Sequence, residues 1–161
     1  MGIEYKKEYM DIAVKMAHEG IDGGCGGPFG CVIVQGDRIV ARTHNTVVRD
    51  NDPTAHGEVN AIRLAGKTLG KFDLSDCVLY TTSEPCPMCL AAIMWARIPV
   101  VYSAMNINDA REIGFDDKPF YDAINEKVMG KSNEFVREEF HREESAVELF
   151  KKYSSMEKTS Y

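Results

Sequence analysis

Residues 77–103 read CVLYTTSEPCPMCLAAIMWARIPVVYS. The run 77–81 is continuously apolar or β-branched, the pattern of a strand covered on both faces, and 100–103 repeats it. Between them, residues 87–97 have helical composition, with Pro87 suited to a first helical position. A strand, helix, strand unit of this length closes by a right-handed crossover, so the two strands are expected to be parallel. This places the chain in the α/β class.

Upstream, Tyr5, Tyr9, Ile12, Ala13, Met16 and Ala17 recur at helical spacing and stop at Gly20, before the glycine-rich turn Gly23, Gly24, Gly26, Gly27 and Pro28. Residues 29–34 and 38–43 are short strand-like runs separated by Gln35-Gly36-Asp37, which predicts an antiparallel hairpin. Asp52-Pro53-Thr54 reads as an N-cap with proline at the first helical position, and Val59, Ile62, Ala65 and Leu69 then line one face up to Gly70.

Downstream, 108–114 and 122–129 are weaker helical stretches and 134–140 reads as an edge strand. Ala146, Val147, Phe150 and Tyr153 suggest a terminal amphipathic helix. The whole order predicts a mixed sheet sandwiched between helices in one domain spanning residues 1–161.

The 161 residues are 44% hydrophobic and 27% charged, ordinary values for a globular protein. Nineteen lysines and arginines against 25 aspartates and glutamates leave a formal net charge of −6, which argues against strong nonspecific binding of nucleic acid. No apolar run approaches the roughly 18 residues needed to span a bilayer. The charged start also lacks the apolar stretch of a secretory signal, so a cytoplasmic location is expected. The five cysteines, Cys25, Cys31, Cys77, Cys86 and Cys89, point to metal binding or burial rather than bridging.

The chemistry lies in His56-Gly57-Glu58 and Pro85-Cys86-Pro87-Met88-Cys89. With Cys86 as a helix cap, the spacing of three puts both thiols on one side of the first turn, where free N–H groups and the helix dipole favour thiolate. A neutral His56 imidazole completes three protein ligands for one zinc ion per chain. Three rather than four is the catalytic pattern, because the fourth position can hold water whose pKa falls towards about 7. Glu58, two residues from His56, does not share a helix face with it. Both serve one centre only if the metal lies beyond the helix end, with Glu58 aimed at the water as general acid and base. That chemistry replaces an amino group by oxygen.

H-x-E with P-C-x-x-C is the signature of zinc nucleobase deaminases. From Gly26-Gly27-Pro28-Phe29-Gly30 through the zinc motifs to the terminal tyrosine, the chain resembles the cytidine deaminase-like superfamily, and within it the small bacterial guanine deaminases. The resemblance implies hydrolysis of guanine to xanthine and ammonia, a three-layer α/β/α fold around a mixed five-stranded sheet, and a homodimer. It further implies that Asn45 and Asp117, the latter in Gly114-Phe115-Asp116-Asp117, contact the base. It also implies that Tyr161 closes over the partner's site by swapping of a segment at about 143–161. Gly57 stands where the family usually has alanine and keeps its backbone N–H. Phe29 and Trp95 are candidate walls for the base, with core packing as the plainer reading of each.

Two other readings compete with guanine deamination. Asp-Pro-Thr-Ala-His and Pro-Cys-x-Met-Cys also occur in the tRNA adenosine deaminase branch, and cytosine, a cytidine nucleotide, guanosine or a triazine are further substrates for the same chemistry. A zinc-stabilised binding protein without turnover is the reading from another class. Glu58, an acid that need not ligate the metal, speaks against it.

Overall fold

The computed structural model describes residues 4–128 and 143–156. In chain order the elements are α1 (Lys7–Asp22), β1 (Gly30–Gln35), β2 (Arg38–His44), α2 (Val47–Asp50), α3 (Gly57–Leu69), β3 (Cys77–Ser83), α4 (Pro87–Trp95), β4 (Val100–Met105), α5 (Ile107–Glu112), α6 (Lys118–Val128) and α7 (Glu144–Ser155). The chain divides into two units at residue 118: the first holds the sheet and α1 to α5, and the second holds most of α6 and α7.

The sheet runs β2-β1-β3-β4, with β1 antiparallel to both β2 and β3 and β3 parallel to β4. The mixed sheet and the crossover follow the sequence reading. The strand count among the described residues is four, against the five that the resemblance implies. The segment expected to supply an edge strand, 134–140, lies outside the described residues.

Strand alternation sorts the two faces. Val32, Val34, Val78 and Tyr80 pack with Tyr9, Met10 and Ala13 of α1. Cys31, Ile33, Cys77 and Leu79 pack with Ala61 and Ala65 of α3 and with Ile93 of α4. Helices thus cover both faces of β1 and β3, and every residue of β3 is buried. Gly36 turns the β1–β2 hairpin at φ 59°.

Two boundaries differ from the sequence reading. Helix α1 continues past Gly20 to Asp22, because Gly20 is a packing position: a Cβ there would lie 2.9 Å from the His44 ring. Helix α3 starts at Gly57, with His56 as its N-cap, rather than at Pro53. Asp52 Oδ1 accepts from both the backbone N–H (2.8 Å) and the hydroxyl (2.7 Å) of Thr54, forming a local turn that holds the chain out of helical conformation until His56.

Candidate active site

Two helix starts meet at the site. His56 caps α3 in an extended conformation (φ −70°, ψ 155°), which turns its ring away from the helix body. Cys86 caps α4, Pro87 occupies the first turn, and the Cys86 sulfur accepts the Cys89 backbone N–H at 3.5 Å. His56 Nδ1 lies 3.6 Å from Cys86 Sγ and 3.5 Å from Cys89 Sγ, and the three ligand atoms all fall within 4.8 Å of one another.

Zinc bonds of about 2.0–2.1 Å to nitrogen and 2.3 Å to sulfur give a tetrahedral nitrogen–sulfur edge of about 3.6 Å. The three side chains therefore fit a zinc ion. Cys86 suits ligation electrostatically: its pKa is held at about 4, first by the hydrogen bond from Cys89 and then by His56 and the Cys89 backbone N–H. Cys89 is pushed the other way by sharing that bond with Cys86 and by burial. Cys25, Cys31 and Cys77 stand outside this cluster, so the ligand set stays at three among the described residues.

Glu58, in the first turn of α3, is buried beside the cluster, with Oε2 3.5 Å from Cys89 Sγ. Its other oxygen, Oε1, is 3.0 Å from the Thr81 hydroxyl. Burial raises the Glu58 pKa, which suits a group that must both take and release a proton near neutrality. The Gly57 carbonyl between His56 and Glu58 accepts the Thr43 hydroxyl at 2.7 Å, tying the start of α3 to β2.

A second group of residues stands nearby. Asn45 is buried, its Oδ1 accepts the Val47 N–H at 3.0 Å, and its own N–H donates to the Phe29 carbonyl at 2.8 Å. With the oxygen so engaged, the side-chain NH2 is what Asn45 can offer to a ligand. Asp117 is half-buried and its Oδ1 has no hydrogen-bond partner. Burial, and then the negative charge of Cys86, raise its pKa. Phe29 meets Phe115 edge to face, which joins the glycine turn to the loop that carries Asp117.

Trp95, a candidate wall for the base, instead closes the far end of α4, nine residues beyond Cys86 and thus about 13 Å along the helix, and is 67% exposed. Tyr161 lies outside the described residues. Sequence reading missed Thr81, Thr82, Asn60 and Phe115. Thr82 Oγ1 accepts the Gly30 N–H at 3.1 Å and donates to the Pro28 carbonyl at 3.3 Å, holding the turn that bears Phe29. The Asn60 amide nitrogen is 3.0 Å from both the His44 carbonyl and Thr46 Oγ1, locking the segment around Asn45 to α3. For Thr81 and Thr82 the available signal was the polar run Thr81-Thr82-Ser83 at the end of an otherwise apolar strand; Asn60 and Phe115 had none.

The sequence model for the cytidine and deoxycytidylate deaminase zinc-binding region matches residues 3–105. The chain belongs to this family.

Within the deaminase family, the chain is 49% identical to the guanine deaminase of Bacillus subtilis, over 80% of this chain and 83% of that protein. The X-ray structure of guanine deaminase from Bacillus subtilis superposes with a TM-score of 0.87, covering 98% of this chain and 99% of the other at 40% identity. A tRNA-specific adenosine deaminase from Aquifex aeolicus is 32% identical over 95% of this chain and 94% of its own length. The zinc ligands His56, Cys86 and Cys89 lie within the part of the chain that matches the family. Among the described residues no helix is long and apolar enough to cross a membrane.

Proposed function

We propose that this chain is a zinc-dependent guanine deaminase: water adds to C2 of guanine, the bond from C2 to the exocyclic nitrogen breaks, and xanthine and ammonia are released. The observation that carries the substrate assignment is the partnerless Asp117 Oδ1 beside the zinc ligands, on a chain 49% identical to a guanine deaminase. An acceptor at Asp117 and an NH2 donor at Asn45 suit a base that presents both N–H groups and lone pairs, as guanine does.

His56, Cys86 and Cys89 would hold the zinc ion, whose Lewis acidity would make water available as a nucleophile near neutral pH. Glu58 takes one proton from the attacking water and hands it to the ring nitrogen, then takes the second from the new hydroxyl on C2 as that becomes the carbonyl and gives it to the departing amine, so that the carboxyl group ends as it began. Asn45 and Asp117 orient the base. Phe29 supplies one aromatic wall and the Gly57 backbone N–H adds a donor.

The reading extends to a homodimer in which the segment at about 143–161 crosses between subunits and Tyr161 covers the partner's site. Its support is the resemblance to guanine deaminases. Sedimentation equilibrium of the full chain and of a chain lacking 143–161 tests it, and a monomer at every concentration rejects it.

The tRNA adenosine reading draws on the relative from Aquifex aeolicus, and the net charge of −6 weighs against it. Ammonia release from guanine, guanosine, cytosine, cytidine, adenine, adenosine and tRNA, with Glu58→Gln as the blank, separates the readings. Release confined to guanine supports the proposal, and release from tRNA alone replaces it.

A further inference from the structure

The Thr81 hydroxyl is fully buried at the end of β3, 3.0 Å from Glu58 Oε1 and 3.1 Å from the Ser83 carbonyl. A hydroxyl has one proton and two lone pairs, whereas a carbonyl can only accept. Thr81 therefore has two settings. In one it donates to Glu58 Oε1. In the other it donates to Ser83 and offers Glu58 a lone pair. The Glu58 carboxyl is meanwhile asymmetric, with Oε1 on Thr81 and Oε2 on the Cys89 side, 3.5 Å from its sulfur.

We propose that Thr81 is a positioning residue for deamination: its hydroxyl tethers Glu58 Oε1 and so leaves Oε2 as the oxygen presented to the reacting water. Because the reacting proton travels on Oε2, Oε1 stays an acceptor and the Thr81 hydroxyl can go on donating to it. The inference rests on the deaminase reading and adds a residue to it. It also accounts for a buried polar side chain that follows Cys77 and Leu79 on the same face of β3, ahead of Ser83 at the strand end.

The test compares Thr81→Val, nearly isosteric and without the hydroxyl, with Thr81→Ser, which keeps it. In the zinc-loaded proteins, Thr81→Val should lower kcat by about 10–100-fold, the usual range for a residue supporting a metal site. KM should stay within about twofold and zinc at one per chain, and Thr81→Ser should recover most of kcat. Unchanged kcat in Thr81→Val, or a loss that serine does not restore, overturns the proposal. Should Thr81→Val not fold, the order Thr81, Thr81→Ser, Thr81→Cys in falling kcat takes its place, and equal kcat across the three rejects the tether. A crystal structure of zinc-loaded Thr81→Val needs no turnover: a carboxyl group turned away from the Cys89 side supports the tether, and an unmoved one refutes it even if guanine is not the substrate.

Discussion

Phe29 and Phe115 meet edge to face, with ring centroids 4.8 Å apart and planes at 85°. The contact spans from the glycine turn before β1 to the loop after α5, two segments with little other regular structure. Such pairs contribute about 0.5–1.5 kcal/mol beyond their buried area. Phe115→Ala should therefore raise KM for guanine several-fold while kcat stays within about twofold. Phe115 is itself 45% exposed, so the melting temperature should hardly move. Steady-state kinetics beside a thermal melt checks both halves.

Glu58→Gln preserves shape and removes the proton carrier. The variant should bind one zinc per chain and lose about two to four orders of magnitude in kcat. Metal analysis and ammonia release on one sample decide it, and a fully active variant would sink the proposed chemistry.

Asp117 offers a case where activity and stability part company. Its Oδ1 is desolvated without a partner, a cost that binding is proposed to offset and that an apolar side chain never incurs. Asp117→Ala should lower kcat/KM by at least about tenfold and leave the folded state as stable as the parent or up to about 1 kcal/mol more so. A drop in both, by kinetics and urea denaturation, would assign Asp117 to the fold instead.

Much of this was legible beforehand, and the exceptions share a cause. The hairpin turn and each half of the ligand set, His56-Gly57-Glu58 and Cys86-Pro87-Met88-Cys89, are patterns of a few consecutive residues, and the crossover is a pattern of adjacent elements. Thr81 and Thr82 are neither: their partners, Glu58 and Pro28, lie 23 and 54 residues away in the chain. The start of α3 was misread at Pro53 because the Asp52 side chain serves a turn as readily as a helix cap. Gly20 has the composition of a stop signal, and only the approach of His44 shows it to be a packing contact. Short α2 (Val47–Asp50) has no periodicity to find.

Gly30 and Gly57 should respond differently to alanine. A Cβ on Gly30 would lie 1.9 Å from the Ala13 carbonyl oxygen and 2.7 Å from the Ala17 nitrogen, both backbone atoms of α1. Gly30→Ala should destabilise by about 3 kcal/mol or more, since the helix itself must shift. At Gly57 the nearest atom is the Phe29 carbonyl oxygen at 3.2 Å, and alanine's helix preference, at most about 1 kcal/mol, acts in the other direction. Gly57→Ala should stay within about 0.5 kcal/mol of the parent in chemical denaturation, with any kinetic change confined to KM, because that carbonyl also receives the Asn45 N–H.

Chelation should destabilise as well as inactivate. The ligands come from two helix caps 30 residues apart, so the unfolded chain offers no preformed site, and free zinc at 100 times its dissociation constant adds about 2.7 kcal/mol to folding. Melting temperature should therefore rise with zinc concentration, and a flat response would mean that the unfolded chain binds zinc equally well.

The proposed proton carrier Glu58 and the metal ligands stand at the starts of α3 and α4, which pack on the sheet, whereas Phe29 and Asp117 stand on loops. In the proposed reading, Phe29 and Asp117 can therefore change without disturbing the helix starts, whereas Gly57, between His56 and Glu58, is part of one. An engineer seeking a new heterocycle can exchange 23–29 and 114–117 and leave the metal centre as it is.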